Sequence, residues 1–333
     1  MTPRAGCGVR IAGAGSAVPA GVLTNADLEK MLETTDEWIV QRTGIRERRI
    51  VDQPGQGTFT LSCDALNRAL EDAGMRGKEL DLVIVASVTG EMTCPSVAAR
   101  VSAELGATPA GAFDLVAACS GFVYSINVAD SMVRSGRFNA IGVVGCDAMS
   151  TVIDYSDRNL SVLFGDAAGA VILTRDEDHA LGCLYQTMFA DGSSWESLYM
   201  PRREHEIPRG DSENPIRIGC LRMNGREIYK FAIVKLRQMI EEALETTGLC
   251  PSQISQFICH QSNLRIIEAA REKLGLPPEK VYINIDKFGN SSAGSVGLCF
   301  DQLWRAEKIK RGDTVLFAAI GGGLTWATSV WKL

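Results

Sequence analysis

The apolar positions of this 333-residue chain fall into short unbroken runs that alternate with stretches of helical spacing. In the first half, Val9-Arg10-Ile11, Leu82 to Ala86, Phe113-Asp114-Leu115, Ile141 to Val144 and Ala170 to Leu173 read as strands. Phe59 to Asp72 repeats apolar residues near every 3.6 positions and predicts a helix. Pro95 to Leu105 and Ser120 to Ser135 predict two more, the second stopped by Gly136. In the second half, Glu227 to Thr246 predicts a long amphipathic helix. Leu264 to Leu274 predicts another, ended by Pro277-Pro278. Val281 to Ile285, Thr314 to Ile320 and Leu324 to Val330 predict strands. Polar residues 201–215, with three prolines, predict a long surface loop. Continuous apolar strands alternating with helices predict an α/β fold with largely buried sheets.

The pattern also echoes itself. Leu70-Glu71-Asp72-Ala73-Gly74 leads through a polar linker to the run at Leu82, and Leu244-Glu245-Thr246-Thr247-Gly248 leads likewise to Phe257-Ile258-Cys259, an offset of 174 residues. Met132 to Gly136 before Ile141 is repeated by Lys308 to Gly312 before Val315 at nearly the same offset. Two similar halves, residues 1–175 and 176–333, are expected. The period is far too long for a solenoid.

Composition narrows the function classes. With 34 basic and 40 acidic side chains the net charge is −6, which argues against wholesale nucleic-acid binding. An apolar fraction of 46% excludes a disordered chain. The 17 uncharged residues from Val315 to Trp331 fall short of the ~20 a membrane span needs. Gly321-Gly322-Gly323 interrupts them, and two buried strands joined by a glycine turn are expected. Residues 1–20 contain Arg4 and Arg10 and no signal-peptide apolar run. None of the ten cysteines forms a C-x-x-C pair, which removes the basic unit of a zinc or dithiol site. A reduced, cytoplasmic chain is expected, with at most one or two cysteines doing chemistry.

Four places offer candidate chemistry. His179 and His205 lie in polar runs and read as solvated, but His260 directly follows a buried strand and opens His-Gln-Ser-Asn. Strand ends are where α/β proteins place ligand sites, although a satisfied structural histidine fits the position equally. Cys119 follows a strand and precedes a helix. The helix N-terminus would pull its thiol pKa from about 8.5 toward about 3.5–7.5; an inert buried cysteine is the alternative. In Gly289-Asn290-Ser291-Ser292-Ala293-Gly294-Ser295 small residues permit close backbone approach, with Asn290 as a helix cap the plain alternative. Gly321-Gly322-Gly323 offers bare N–H groups of the kind an oxyanion hole needs, or merely a hairpin turn. Gly13-Ala14-Gly15-Ser16-Ala17-Val18 lacks the third glycine of a dinucleotide loop, and Gly165-Asp166-Ala167-Ala168-Gly169 lacks the lysine of a phosphate loop.

Taken in order, these pieces resemble one family, the β-ketoacyl-acyl-carrier-protein synthase III group of thiolase-fold condensing enzymes. The likeness runs from Thr24-Asn25-Ala26-Asp27-Leu28-Glu29 to Gly321-Gly322-Gly323-Leu324-Thr325-Trp326. Between them lie Asp36-Glu37-Trp38-Ile39-Val40 with Arg42-Thr43-Gly44-Ile45, Ala117-Ala118-Cys119-Ser120-Gly121-Phe122, His260-Gln261-Ser262-Asn263 and Gly289-Asn290-Ser291-Ser292-Ala293. The resemblance implies a thiolase-like α/β fold of two pseudo-equivalent halves stacked in five layers. It implies that Cys119 takes an acyl primer from acyl-CoA, with the N–H groups of Cys119 and Gly322 as oxyanion hole. His260 and Asn290 would then assist decarboxylation of malonyl-acyl carrier protein, giving a 3-oxoacyl product without metal or redox cofactor. Trp38 and Arg158 would bracket the CoA adenine, Arg42 would meet phosphate, and Asn263 would line the pantetheine channel. Gln261, Ser262, Asn263, Leu264 and Arg265, with Lys230 and Lys273, would meet the carrier protein, although unaided these charges read as a solvated face. A homodimer is also implied.

Some positions depart from the family pattern. Asn159 stands where glycine is common and Arg226 where asparagine is common, both at the CoA mouth. Cys94 stands where many members carry a phenylalanine that reaches into the partner's acyl pocket. The smaller side chain implies a deeper pocket that admits branched or longer primers. The primary reading is the initiating enzyme of fatty acid synthesis. The second is a specialised polyketide or quinolone-type relative with another acyl donor or acceptor. A non-decarboxylating thiolase is disfavoured because Phe317 to Thr325 contains no second cysteine. A catalytically dead subunit is disfavoured by the intact Cys119, His260 and Asn290.

Overall fold

The computed structural model describes residues 6–208 and 217–333. The first half contains β1 (Gly8–Ala17), β2 (Gly21–Thr24), α1 (Asn25–Glu29), α2 (Asp36–Thr43), β3 (Glu47–Ile50), α3 (Thr58–Ala73), β4 (Leu82–Ala86), α4 (Val97–Glu104), β5 (Gly111–Leu115), α5 (Gly121–Arg134), β6 (Ala140–Ala148), α6 (Arg158–Ser161) and β7 (Asp166–Asp176). The second contains β8 (Gly182–Ala190), β9 (Leu198–Tyr199), β10 (Arg222–Met223), α7 (Gly225–Thr247), β11 (Gln256–Cys259), α8 (Leu264–Lys273), α9 (Ile285–Phe288), α10 (Gly294–Arg305), β12 (Thr314–Gly321) and β13 (Thr325–Lys332).

Two mixed sheets result, ordered β1-β7-β6-β4-β5 and β11-β12-β13-β8. Strand periodicity sorts their side chains into layers. Leu82 and Ile84 of β4 face inward, onto Phe122, Ile126 and Val133 of α5 and onto Val296, Phe300 and Leu303 of α10. Val83 and Val85 face outward, onto Leu66, Ala69 and Leu70 of α3 and Val101 of α4. In the second sheet Val315 and Phe317 point to the same inner core, while Leu316 and Ala318 pack under α7 and α8. The molecule is therefore five layers, with α5 and α10 buried between two sheets.

The 174-residue echo is an echo of register. Leu82 pairs with Ile141 across the parallel β4–β6 ladder, and Gln256 pairs with Val315 across β11–β12. Both partners move by the same 174 residues, from 82 to 256 and from 141 to 315.

Several elements differ from the sequence expectation. Strands β2, β3, β8, β9 and β10 and helices α1, α2, α6 and α10 are additional. Residues 281–285 do not form a strand: one parallel bridge joins Phe257 to Val281, and Ile285 opens α9. The reason is polar. Asn284 donates its amide to Gln302 Oε1 at 2.8 Å, and its backbone N–H donates to Gln261 Oε1 at 3.1 Å, which turns the chain off the sheet edge. Residues 201–208 of the expected loop carry only a single 3-10 turn, Glu204–Glu206. Positions 209–215 lie outside the described residues.

One charge is buried within the fold. Arg48 is fully enclosed and donates to the carbonyls of Leu23 at 3.0 Å and Val162 at 2.8 Å and to Asn25 Oδ1 at 2.9 Å. Burial pulls its pKa down to about 10. The guanidinium props the loop at 162–165, on which the segment around Asn290 rests. Arg48→Ala leaves these acceptors dry and a void behind, so a loss of about 2–4 kcal/mol is expected. Urea unfolding measures it; a midpoint unchanged from wild type would show that the guanidinium supports nothing.

Candidate active site

Cys119 sits on a 3-10 turn, Ala118–Ser120, directly before α5. Ala118 takes φ +46°, a conformation that a non-glycine residue adopts only when its surroundings enforce it. Ser120 Oγ donates to the Ala117 carbonyl at 2.7 Å, and Thr325 Oγ1 lies 3.0 Å from that oxygen and 2.8 Å from Ser120 Oγ. This ties the Cys119 turn to the glycine hairpin between β12 and β13. A Cβ on Gly321 would stand 2.8 Å from the Ala117 oxygen and 2.9 Å from Cys119 N, so only glycine lets the two backbones approach. The thiol is not activated in the resting site. Burial pushes it up to about 12; a hydrogen bond from Ser292 Oγ at 3.3 Å opposes that shift, and the Asp147 carboxylate adds to it. The expected lowering by the helix terminus is thus outweighed by desolvation.

His260 ends β11, its N–H donating to the Ala318 carbonyl at 2.8 Å. Its Nδ1 lies 2.7 Å from Ser295 Oγ in the first turn of α10. The one Ser295 hydroxyl proton has two acceptors in reach, Nδ1 and the Ser292 carbonyl at 3.0 Å; when it turns to Nδ1, Nε2 carries the ring proton and is a hydrogen-bond donor. Burial depresses the imidazole pKa to about 3, so the ring is neutral at ordinary pH. Asn290 is locked by its backbone, donating to the Leu163 carbonyl at 2.9 Å and accepting from Gly165 N at 3.0 Å. Its Oδ1 accepts from Ser292 N at 2.9 Å, which leaves the amide NH₂ as the group it can offer a ligand.

Cys119, His260, Asn290 and Gly322 line one cavity of about 760 Å³. Trp38, Arg42, Asn159, Arg226, Lys230, Ser262, Asn263 and Arg265 line it further out. Arg158 closes on the indole instead: its guanidinium carbon is 4.9 Å from the Trp38 ring centre, with that of Arg42 at 5.1 Å. A flat base between Trp38 and Arg158 needs about 7 Å, two contact distances, so the arginine must swing aside. Asn263 has its polar atoms engaged. It caps α8 by accepting from Arg265 N at 2.9 Å and donates to the Arg42 carbonyl at 3.1 Å.

One expectation is corrected. Gln261 cannot meet a carrier protein: it is buried, donating to the Cys259 and Tyr282 carbonyls at 2.9 and 3.2 Å. Lys273 is exposed at the far end of α8, roughly 13 Å along the axis from Leu264, away from the cavity lining. Leu264 and Cys94 are outside the lining as well, Cys94 being exposed. Sequence reading gave Asp147 no mention, and it quoted Ser292 and Ser295 only as part of a small-residue motif. A lone aspartate inside the buried run Gly145-Cys146-Asp147 was the available signal for the first. Among the described residues, no group of three His, Cys, Asp or Glu side chains is placed to hold a metal ion. No described helix is long and apolar enough to cross a membrane.

Comparison with known proteins agrees with this geometry. The family profile of 3-oxoacyl-[acyl-carrier-protein] synthase III matches residues 113–192, and that of its C-terminal part matches 244–333. The β-ketoacyl-[acyl-carrier-protein] synthase III of Caldanaerobacter subterraneus is 46% identical, over 97% of this chain and 97% of its own. The chain belongs to the synthase III family. The crystal structure of the Aquifex aeolicus synthase III superposes with a TM-score of 0.90 at 42% identity, covering 98% of this chain and 100% of that one. The priming β-ketosynthase of the R1128 polyketide pathway superposes equally well, with a TM-score of 0.90 at 34% identity, covering 100% and 98%. The five layers are thus the thiolase-like fold that synthase III enzymes share.

The buried imidazole has a pH signature. Its pKa lies below the unfolded value of 6.5, so the stability it contributes is complete above pH 6.5 and is lost as pH falls toward 3. NMR of the ring should show no titration between about pH 5 and pH 9. A midpoint near 6.5 would show that the ring meets water.

Proposed function

We propose that this chain condenses the acyl group of an acyl-CoA primer with malonyl-acyl carrier protein, the initiating step of fatty acid synthesis. The observation that carries this reading is the convergence of Cys119, His260, Asn290 and Gly322, from four separate segments, on one cavity of a synthase III family member. Cys119 Sγ attacks the acyl-CoA thioester, and the bond to the CoA sulfur breaks as the acyl-enzyme forms. The N–H groups of Cys119 and Gly322 stabilise the oxyanion. Malonyl-carrier protein then enters. Neutral His260 and the Asn290 amide donate to its thioester carbonyl, so loss of CO₂ leaves an enolate whose charge they hold. The enolate carbon attacks the acyl-Cys119 carbonyl; the sulfur leaves as thiolate and takes a proton from solvent, which balances the charge the malonyl carboxylate brought in, and 3-oxoacyl-carrier protein departs. Each step uses protein groups, two thioester substrates and solvent protons alone, and a reduced cytoplasmic setting suits a free thiol.

Exposed Arg265 and Lys230 at the cavity rim suit an acidic carrier protein. Mass spectrometry of intact protein mixed with acyl-CoAs tests the nucleophile. Acyl mass is expected on wild type and absent on Cys119→Ala, and malonyl-carrier protein should discharge it. Loading of C4–C8 primers is expected if Cys94 deepens the acyl pocket. Loading without discharge would favour the specialised relative, and absence of loading would refute the reading.

A homodimer is part of the proposal. β5 is a sheet edge paired only with β4, and its apolar Phe113 is 37% exposed, with Val116 just beyond at 76%. An unpaired apolar edge invites a second copy. Sedimentation should give twice the chain mass, and Val116→Lys should give the monomer. A wild-type monomer at micromolar concentration would refute the dimer.

A further inference from the structure

Ser292 lies two residues beyond Asn290, is buried, and is linked to all three working side chains of the site. Its hydroxyl donates to Cys119 Sγ at 3.3 Å. Its backbone N–H donates to Asn290 Oδ1 at 2.9 Å. Its carbonyl lies 3.0 Å from Ser295 Oγ, and that oxygen lies 2.7 Å from His260 Nδ1. The last two links are made by the backbone and need no particular side chain at 292. The link to the sulfur needs a hydroxyl. Among the described residues no other side chain hydrogen-bonds that sulfur. Ser292 also holds φ +47°, where glycine would be the easier residue. A serine in a conformation that favours glycine points to a use for its side chain.

We propose that Ser292 is a catalytic residue: its hydroxyl hydrogen-bonds the Cys119 sulfur and holds the charge that forms there, once when the sulfur attacks and again when the acyl group leaves. The inference rests on the reading of Cys119 as nucleophile. A neutral thiol sulfur is a weak acceptor and a thiolate a strong one, so the bond stabilises the charged states most. In loading, the thiol proton passes to solvent and Sγ bonds to the thioester carbon. The carbon–sulfur bond to CoA then breaks, and the CoA sulfur takes a proton from solvent. In condensation the bond between Sγ and the acyl carbon breaks, and its electron pair stays on Sγ. Ser292 neither gains nor loses a proton in either step, so charge and protons balance.

The charged sulfur has little other help. The N–H groups of Cys119 and Gly322 serve the oxyanion, and His260 and Asn290 serve the malonyl thioester. The titratable groups that face the sulfur are Asp147, whose carboxylate opposes a thiolate, and His260, which burial holds neutral in the same cavity. The donor left for the sulfur is the hydroxyl of Ser292.

The test uses full-length protein and reads Cys119 by peptide mass spectrometry. Alkylation by iodoacetamide at pH 8 should be about 10- to 10²-fold slower in Ser292→Ala, the effect of one hydrogen bond to a charged group. The exposed thiols Cys94 and Cys250 should react at wild-type rates in the same samples. The deficit should be constant from pH 7 to pH 9, because the hydroxyl stabilises the thiolate and carries no proton away. Acyl loading from acetyl-CoA should slow by a similar factor. CO₂ release from malonyl-carrier protein, which depends on His260 and Asn290, should fall by no more than about threefold. Ser292→Gly separates the hydroxyl from backbone strain: it should unfold in urea no earlier than Ser292→Ala, yet react as slowly. Alkylation and loading by Ser292→Ala within threefold of wild type would overturn the proposal. So would wild-type rates in Ser292→Gly, or an equal fall in CO₂ release. Wild type that takes no acyl group at Cys119 would overturn the nucleophile reading, and this role with it, even where alkylation slows.

Discussion

Two glycine backbones, Gly169 of β7 and Gly297 of α10, lie in direct contact, and the rest of the molecule is arranged around that contact. A methyl group on Gly169 would overlap the Gly297 carbonyl carbon, and one on Gly297 would stand 2.8 Å from Gly169. Helix α10 therefore lies as low on the first sheet as a helix can. Its height fixes the loop that precedes it, residues 289–293. The same closeness recurs where a Cβ on Gly145 of β6 would overlap the Ala293 carbonyl oxygen. Neighbouring α5 begins at the turn that carries Cys119. The shared helical layer thus makes two distant stretches of chain, 118–121 and 289–295, face each other across a hydrogen bond from Ser292 to Cys119.

Burial then sets the chemistry. The protein packed around the site pushes the thiol at 119 up and holds the imidazole at 260 neutral, although both line the cavity. The outer part of the cavity is different in kind. Trp38, Arg42 and Arg158 are surface groups stacked on one another, able to reopen around a flat ligand.

The two halves share this arrangement unequally. The ladder β4–β6 and its counterpart β11–β12 keep one register, but the second sheet lacks a partner for β5. At that place Asn284 and Gln261 form a polar junction beside the histidine turn. The half that carries His260 uses its missing edge to anchor the site, and the half that carries Cys119 presents its edge outward.

Much of this was legible in the chain itself. Strand and helix periodicity is local, so Leu82–Ala86, Thr58–Ala73 and Gly225–Thr247 could be read directly, and the 174-residue offset survives as register. Cys119, His260, Asn290 and Gly322 were visible as motifs because each requires particular residues at particular turns. Other features follow only from folding. Gln261 sits among the motif residues, yet its side chain points into the protein, because the polar junction at Asn284 needs it. Asp147 looks like one more residue of a buried strand until the tertiary structure brings Ser87, Val88, Thr89 and the Ala293 N–H onto its carboxylate. Burial opposes the pull of the helix terminus on the thiol: the terminus is a local feature legible in the chain, whereas desolvation is the sum of everything packed around the sulfur. Sequence determines which side chains can form strands, turns and donors. Only the packing of two sheets on one helical layer decides which of them meet, and how dry that meeting place is.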